Sequence, residues 1–321
     1  MNALLTGITG NLGYELSLDL IKRDIAVIPC VRPGNSEALS SHPSKFKEVV
    51  EYDLAKSGEI ELSGNVDCIV HCAGVVHFRE AKDKNERMMQ SILKLAGSLK
   101  VPVYYVSTAF VYRPPGKNFG FNNDYERDKF NAEQLLKASN ISYSMFRPSV
   151  LVGHSRTGEL RNFSGFYLIV RAFMVAIHAS KARGHTLRFP RMTGESNMVP
   201  VDQAAENIGQ AIQENRLETL YVTNPAPPRS EWVLDETLKF FNVHDNVNVM
   251  DISFQQFGEL DLTEEEATLH RFASHFSPYW STEYAFPPSV CTRNLIDRGF
   301  LTRALTFFRE SEYFTHGQKT Y

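Results

Sequence analysis

The chain has 321 residues, is 43% hydrophobic and 22% charged, and carries a formal net charge of −3. These values fit an ordinary globular protein, long enough for one large domain or two smaller ones, with no global basic field for nucleic acid. Cys30, Cys68, Cys72 and Cys291 lack the density of a disulfide framework, and Cys68/Cys72 has no second Cys/His pair suited to zinc. No metal is therefore expected, and a reducing cytoplasm fits.

The opening residues MNALLTGITG enter an apolar strand and a glycine turn at once. They hold no basic n-region, long apolar segment or cleavage site, so no secretory leader is expected. The helical pattern NLGYELSLDLIKR follows, then the β-rich IAVIPCV at 25–31, which ends at Arg32-Pro33. A polar stretch leads to FKEVVEYDL. Next come the strand VDCIVHCAG (66–74), the helix NERMMQSILKLAGSLK, the strand VPVYYVST (101–108), a helix beginning near Tyr125, and the strand ISYSMFRPSV (141–150). Strands alternating with helices predict right-handed βαβ units and a parallel sheet covered on both faces, the doubly wound Rossmann-type α/β fold.

Beyond Val150 the regularity fades. FYLIVRAFMVAIHAS at 166–180 is interrupted by Arg171 and is shorter than the ~20 residues a membrane span needs, so it reads as a buried helix. KARGHTLRFPRMTG is basic, VPVDQAAENIGQAI predicts a helix with Asp202 as its N-cap, and LETLYVTNP predicts one more strand returning to the sheet. NPAPPR then opens a mixed region that is strongly aromatic over 270–314. The expected division is a dinucleotide-binding domain of 1–150 plus 199–224, and a smaller substrate-binding domain of 151–198 plus 225–321.

Thr6-Gly7-Ile8-Thr9-Gly10-Asn11-Leu12-Gly13 sits between the first strand and the first helix. Gly7 suits the tight turn, Gly10 lets backbone approach a pyrophosphate, and Gly13 permits close helix–strand packing. The helix N-terminus then offers free N–H groups and partial positive charge to the phosphates. The second strand ends Pro29-Cys30-Val31-Arg32 with no acid before Glu37. An NAD-selective site usually places an acid there for the ribose. Arg32 can instead pair with a 2′-phosphate, so NADP(H) is expected; taken alone, Arg32 is also an ordinary exposed arginine. In NDYERDK, Tyr125 and Lys129 fall on one helix face. That spacing suits either a solvated charged surface or a proton donor and its tuner.

TGITGNLG, YDL, HCAG, VSTAFVY, YERDK and FRPSVLVG, in that order, resemble the extended short-chain dehydrogenase/reductase superfamily from residue 2 to about 224. VRP, VSTAFVY, VPVD and YVTNP look most like the carrier-protein thioester reductases and fatty acyl-CoA reductases within it. The resemblance implies a catalytic set of Thr108, Tyr125 and Lys129. Strand alternation turns Ser107 to the other face. A phenol titrates near pH 10, and a lysine ammonium together with an oxidised nicotinamide would favour its phenolate. Asp53 and Leu54 would contact the adenine end, Ala73 and Gly74 would pass beside the cofactor, and Pro148, Ser149 and Val150 would flank the nicotinamide. Asp53 equally reads as a turn acid, Ala73-Gly74 as a strand end, Pro148 as a strand terminator, and His71 and His77 as satisfied histidines.

The activity so implied is NADPH-dependent reduction of an acyl thioester, held on coenzyme A or on an acyl or peptidyl carrier protein, to an aldehyde and on to an alcohol. The alternatives are an NADP-dependent ketone or aldehyde reductase, an NAD-dependent sugar-nucleotide epimerase or dehydratase, and a non-enzymatic NADP sensor. Arg32 speaks against the epimerase, and the retained Tyr/Lys pair against the sensor. The segment from Thr108 to Tyr125 is shorter than is usual in this family, which opens the substrate mouth or marks an unusual substrate. Arg183, Arg188 and Arg191 read either as a contact for the phosphate of a phosphopantetheine arm or as a solvated basic loop. GFYLIVRAFMVAI and HRFASHFSPYWSTEYAF read as tunnel lining or as core.

Overall fold

The computed structural model describes residues 1–56, 60, 62–76, 82–116, 120–282 and 284–316; His77 lies outside them. In chain order the elements begin β1 (Asn2–Thr6), α1 (Asn11–Lys22), β2 (Ala26–Val31), β3 (Val50–Glu51), β4 (Cys68–His71), α2 (Lys84–Leu99), β5 (Val103–Val106), α3 (Asp124–Ala138) and β6 (Tyr143–Pro148). They continue β7 (Val150–Val152), α4 (Phe166–Ala182), β8 (Leu187–Pro190), β9 (Met198–Pro200), α5 (Val201–Gln213), β10 (Thr219–Val222), α6 (Ser230–Phe240) and β11 (Val247–Met250). The last are α7 (Phe254–Gly258), α8 (Glu264–Ala273), α9 (Ser277–Trp280), α10 (Arg298–Arg309) and α11 (Glu312–His316).

Two compact units divide the chain: Met1–Leu151 with Val201–Thr223 and Phe286–Thr292, and Val152–Pro200 with Asn224–Ala285 and Arg293–Tyr321. In the first, the described residues build a seven-stranded sheet in the order β3-β2-β1-β4-β5-β6-β10. Every pairing in it is parallel. The order reverses between β1 and β4, where a doubly wound sheet opens its crevice at the carboxyl ends of the strands. Thr6 pairs in register with Cys30 on one side and His71 on the other, so the glycine turn emerges at that switch point.

Burial explains the strand composition. β4 and β5 are buried throughout, as strands covered on both faces must be, and Leu4, Ile69, Ile92, Val103, Tyr105 and Leu136 are fully enclosed. Each such aliphatic side chain contributes roughly 1.5–3 kcal/mol of transfer free energy. Gly209 brings α5 against α1, since a Cβ there would collide with the Asp19 carboxylate. Arg23 reinforces that contact through Asp19 (2.6 Å) and Gln213 (2.9 Å). One expectation needs correcting here: α5 starts at Val201, so Asp202 lies inside the first turn rather than capping it. Its carboxylate still favours the positive end of the helix.

In the second unit α4 buries Tyr167, Val170, Phe173, Met174 and Ile177 and leaves Val175 exposed. Its aromatics pack on one another: Phe163 on Tyr167 (5.2 Å between centroids) and Phe308 (4.9 Å), and Phe308 on Phe314 (5.3 Å). β8 and β11 form a separate parallel pair. The arginines of the basic segment carry acidic partners: Arg183 pairs with Glu264 and Glu265, Arg188 binds Glu266 through two nitrogens, and Arg191 meets Asp251. No helix among the described residues is long and apolar enough to cross a membrane.

Candidate active site

At the end of β1 the backbone makes the site by what it lacks. Gly7 holds φ +76°, and a Cβ there would come within 2.5 Å of Ala73 N. A Cβ on Gly13 would collide with the carbonyl oxygen of Gly7, so only glycine lets α1 sit this close to the turn. Gly10 N donates to Gly7 O (3.0 Å), and Gly10 is the N-cap of α1. The first turn of α1 carries no acidic residue and no side-chain cap bond, leaving its N–H groups and partial positive charge for an anion. Thr9 is exposed, Asn11 is the first helical residue, and Leu12 is buried against the core.

Thr6 locks this turn to β4. Its hydroxyl accepts from Ala73 N (3.1 Å) and shares a 2.8 Å bond with His71 Nδ1. His71 stacks on Tyr105, and burial together with the Lys129 charge pulls its imidazole down to about 3, which keeps it neutral. Arg32 stands exposed past the end of β2, where its carbonyl accepts from Asn35 N (3.0 Å). Asp53 forms a turn, accepting from Ala55 N (3.1 Å) with Lys56 3.7 Å away, and Leu54 is buried in the core.

α3 is built from side chains instead. Asn123 caps it, accepting from Glu126 N (3.0 Å). Tyr125 lies in the first turn and Lys129 one turn on. Thr108 caps the short 3-10 turn Ala109–Val111, accepting from Phe110 N (3.4 Å), and its hydroxyl is hydrogen-bonded to Tyr125. Lys129 is buried, donates from Nζ to Val106 O (2.9 Å) and lies 4.9 Å above the Tyr105 ring. A Cβ on Gly74 would stand 3.0 Å from that Nζ, so Ala73-Gly74 and Lys129 converge.

In the chain alone, burial sets the acidities. Burial pushes the Tyr125 phenol up, with Thr108 acting the other way and Glu126 and Asp128 adding to the rise. Burial likewise pulls the Lys129 amine down to about 8, against Asp128, Cys72 and Glu133. Desolvation outweighs the neighbouring groups at both, at a buried Lys129 and a partly buried Tyr125. The outcome is a phenol held protonated at neutral pH beside a hydroxyl partner, the state a proton donor needs.

Spacing alone did not reveal the supports of this set. Glu126 and Asp128 belong to the stretch that also suited a solvated charged surface, yet both are buried, as is Glu133 further along α3. Asp128 accepts from Asn85 N (2.9 Å), Asn85 Nδ2 (2.8 Å) and Glu86 N (3.0 Å), tying α3 to the start of α2. Asn85 in turn pairs both backbone groups of Val75, just past Gly74. Glu133 takes Arg147 through both carboxylate oxygens. The available signal was the scarcity of apolar residues on a helix that the sheet must nonetheless cover.

The residues present fit a dinucleotide. The turn at Gly7 and Gly10 leaves no Cβ in the way of a pyrophosphate. Ser107 and Ser149, at the carboxyl ends of β5 and β6, hold buried hydroxyls with no hydrogen-bond partner among the described residues. Such orphans call for a ligand or water. Pro148 closes β6, Ser149 N donates to Val222 O (3.2 Å), and Val150 opens β7.

Residues 3–177 match the model of the family described as NAD dependent epimerase/dehydratase. Among curated proteins, the chain is 25% identical over 252 residues to a hybrid PKS-NRPS synthetase of Xenoacremonium sinensis, covering 68% of this chain and 6% of that protein. It is 27% identical over 250 residues to a linear gramicidin synthase of Brevibacillus parabrevis, covering 64% of this chain and 5% of that one. The chain thus spans only a small fraction of the relatives it matches. Among solved structures, the terminal R domain from the myxalamid PKS-NRPS biosynthetic pathway superposes with a TM-score of 0.71 at 20% identity, covering 96% of this chain and 90% of that one. A thiolation-reductase di-domain from an archaeal non-ribosomal peptide synthetase gives 0.68 at 16%, covering 98% and 76%. WbmH of Bordetella bronchiseptica, in complex with NAD+, gives 0.60 at 17%, covering 99% of each. The match over more than half of the chain, on a Rossmann sheet with its glycine turn at the switch point, decides the family: the chain belongs to the NAD dependent epimerase/dehydratase family, the extended short-chain dehydrogenases/reductases, whose chemistry runs through a nicotinamide cofactor.

Proposed function

We propose that this protein is an NADPH-dependent reductase of acyl thioesters, taking its substrate from an acyl or peptidyl carrier protein or from coenzyme A. The observation that carries the reading is the hydrogen bond between the Thr108 hydroxyl and the Tyr125 phenol, one helix turn from the buried Lys129. The reductase and synthetase names of the relatives support the thioester as substrate. Arg32 at the end of β2, with no acid in the usual ribose-binding place, supports NADPH over NADH.

A bound NADPH supplies the hydride. Gly7, Gly10 and the first turn of α1 would hold its pyrophosphate, Arg32 its 2′-phosphate, Lys129 its nicotinamide ribose, and Pro148, Ser149 and Val150 would flank the ring; Asp53, Leu54 and Ala73-Gly74 would line the adenine side and the path between. Thr108 and Tyr125 hold the thioester oxygen, where negative charge grows as the carbonyl carbon is reduced. Tyr125 passes its proton to that oxygen, giving a thiohemiacetal. The thiohemiacetal then breaks its carbon–sulfur bond, releasing free thiol and aldehyde, and a second round on the aldehyde gives the alcohol.

The test mixes the protein, NADPH and a panel of acyl-pantetheine, acyl-carrier and acyl-coenzyme A thioesters, and follows thiol release and carbonyl product together. Thiol release that requires NADPH is the expected result. Brisk reduction of free ketones or aldehydes with every thioester intact would move the protein to the carbonyl reductases. Purification with tightly held NAD would move it to the epimerases.

A further inference from the structure

Glu126 is fully buried in the first turn of α3, directly after Tyr125. A buried carboxylate is costly unless it is paired and hydrogen-bonded. Here Oε2 accepts from Asn122 N (3.0 Å) and Arg113 Nη2 (3.2 Å), and Oε1 accepts from Asn122 Nδ2 (3.0 Å). The other arm of the same guanidinium, Nη1, donates to Phe110 O (2.6 Å) and Tyr112 O (2.8 Å), the carbonyls of the turn that Thr108 caps. Nη2 also reaches Gly120 O (3.2 Å), and the Arg113 guanidinium lies 4.7 Å over the Phe121 ring. One guanidinium therefore bolts the turn that carries Thr108 to the helix turn that carries Tyr125. The hydrogen bond between those two hydroxyls lies between the bolted parts.

We propose that Arg113 and Glu126 form a positioning clasp for Tyr125, fixing the phenol against Thr108 and fixing the charge beside it. A buried ion pair is often no better for stability than apolar residues of the same volume, so stability alone gives little reason for one here. What an apolar pair would not supply is directional attachment to four backbone carbonyls and amides around Thr108 and Tyr125. The charges acting on the phenol are Glu126 and Asp128 from α3, with the buried Tyr105 phenol interacting with it from β5; Lys129 lies one helix turn on, and Arg113 pairs with Glu126. Glu126 works against ionisation of Tyr125, and Arg113 offsets Glu126. The clasp deepens the reading of Tyr125 as proton donor and rests on it.

The test places 3,5-difluorotyrosine, whose phenol ionises well below tyrosine's, at position 125 and follows its titration by ¹⁹F NMR. It is carried in the otherwise unchanged protein, in Glu126→Gln, in Arg113→Gln and in the double variant. Glu126→Gln keeps the side chain's shape and reads the charge in a folded protein. The expected results are a titration about one pH unit lower in Glu126→Gln, higher by a similar amount in Arg113→Gln, and near the original in the double variant. With tyrosine restored at 125, kcat falls in both single variants while KM moves little, and recovers in part in Arg113→Lys. Folded single variants whose titrations coincide with the parent, or move in the same direction, would overturn the clasp. The NMR readout needs no turnover, so it stands apart from the thioester assay: failure of that assay alone would sink the reductase reading and leave the clasp measurable.

Discussion

The two ends of the candidate site are made in opposite ways. At the β1–α1 turn, space and N–H groups are produced by missing side chains: Gly7 and Gly13 have no room for a Cβ, and Gly10 leaves α1 uncapped. On α3 the site is produced by side chains that folding alone would not choose, with Lys129, Asp128, Glu126 and Glu133 taken out of water. The glycine end is rigid because backbone meets backbone. At the α3 end every one of these charges is held by partners, and at Lys129 desolvation outweighs what its neighbours restore. A binding site for a large anion suits the first construction, and proton transfer suits the second.

That contrast breaks first at Gly7. Gly7→Ala forces a Cβ to 2.5 Å from Ala73 N at φ +76°, and the left-handed strain and the clash together cost roughly 2–6 kcal/mol. Urea unfolding should show this loss together with loss of dinucleotide binding; an unchanged midpoint would mean the turn is not backbone-limited. At the other end, Tyr125→Phe should keep the fold and cofactor binding while lowering turnover by about 10²–10⁴-fold. Near-normal turnover would remove the phenol from the mechanism.

Lys129→Met sharpens the comparison because it should stabilise the protein. The folded amine is pulled from 10.5 to about 8, so between those values the unfolded chain binds the extra proton and stability rises with pH. Below about pH 8 the full burden of the buried charge is present, roughly 3 kcal/mol at most, less the lost bond to Val106 O. The variant should melt higher than the parent at pH 7, with the gain shrinking to nothing above pH 10.5, and should bind NADPH poorly. A lower melting temperature at pH 7 would show that Lys129 is structurally supportive. The smallest change belongs to the exposed arginine past β2. Arg32→Ala should weaken NADPH about ten- to a hundredfold and leave NADH nearly untouched, as loss of one charge-assisted phosphate contact would. Titration calorimetry with both nucleotides decides it, and equal losses would detach Arg32 from the phosphate.

The parallel sheet was legible because buried strands read as continuous apolar runs and because the glycine turn follows the first of them. Helix and strand ends were less so. VDCIVHCAG was read over 66–74, but pairing stops at His71, where Thr6 takes over the hydrogen bonding of the following turn. Asp202 looked like a cap because a short acid at the start of an amphipathic run usually is one. The site was half legible. Spacing places Tyr125 and Lys129 on one face, and a motif places Thr108, but nothing local in YERDK says that its acids face inward. That depends on Arg113, 13 positions from Glu126, and on Asn85, 43 positions from Asp128, which only the fold brings within reach. The upward shift of the Tyr125 phenol in the chain alone was not legible for the same reason: desolvation is a property of the packed helix and cannot be read from neighbours in sequence.

The most direct test follows one hydride. With NADPH deuterated at the transferable position and an acyl-pantetheine substrate, the deuterium should appear at the carbonyl carbon of the released aldehyde, one per thiol set free, and the Tyr125→Phe protein should yield neither label nor thiol at a comparable rate. Deuterium retained wholly in the nicotinamide while the thioester persists, or thiol released without label in the acyl product, would contradict the assignment.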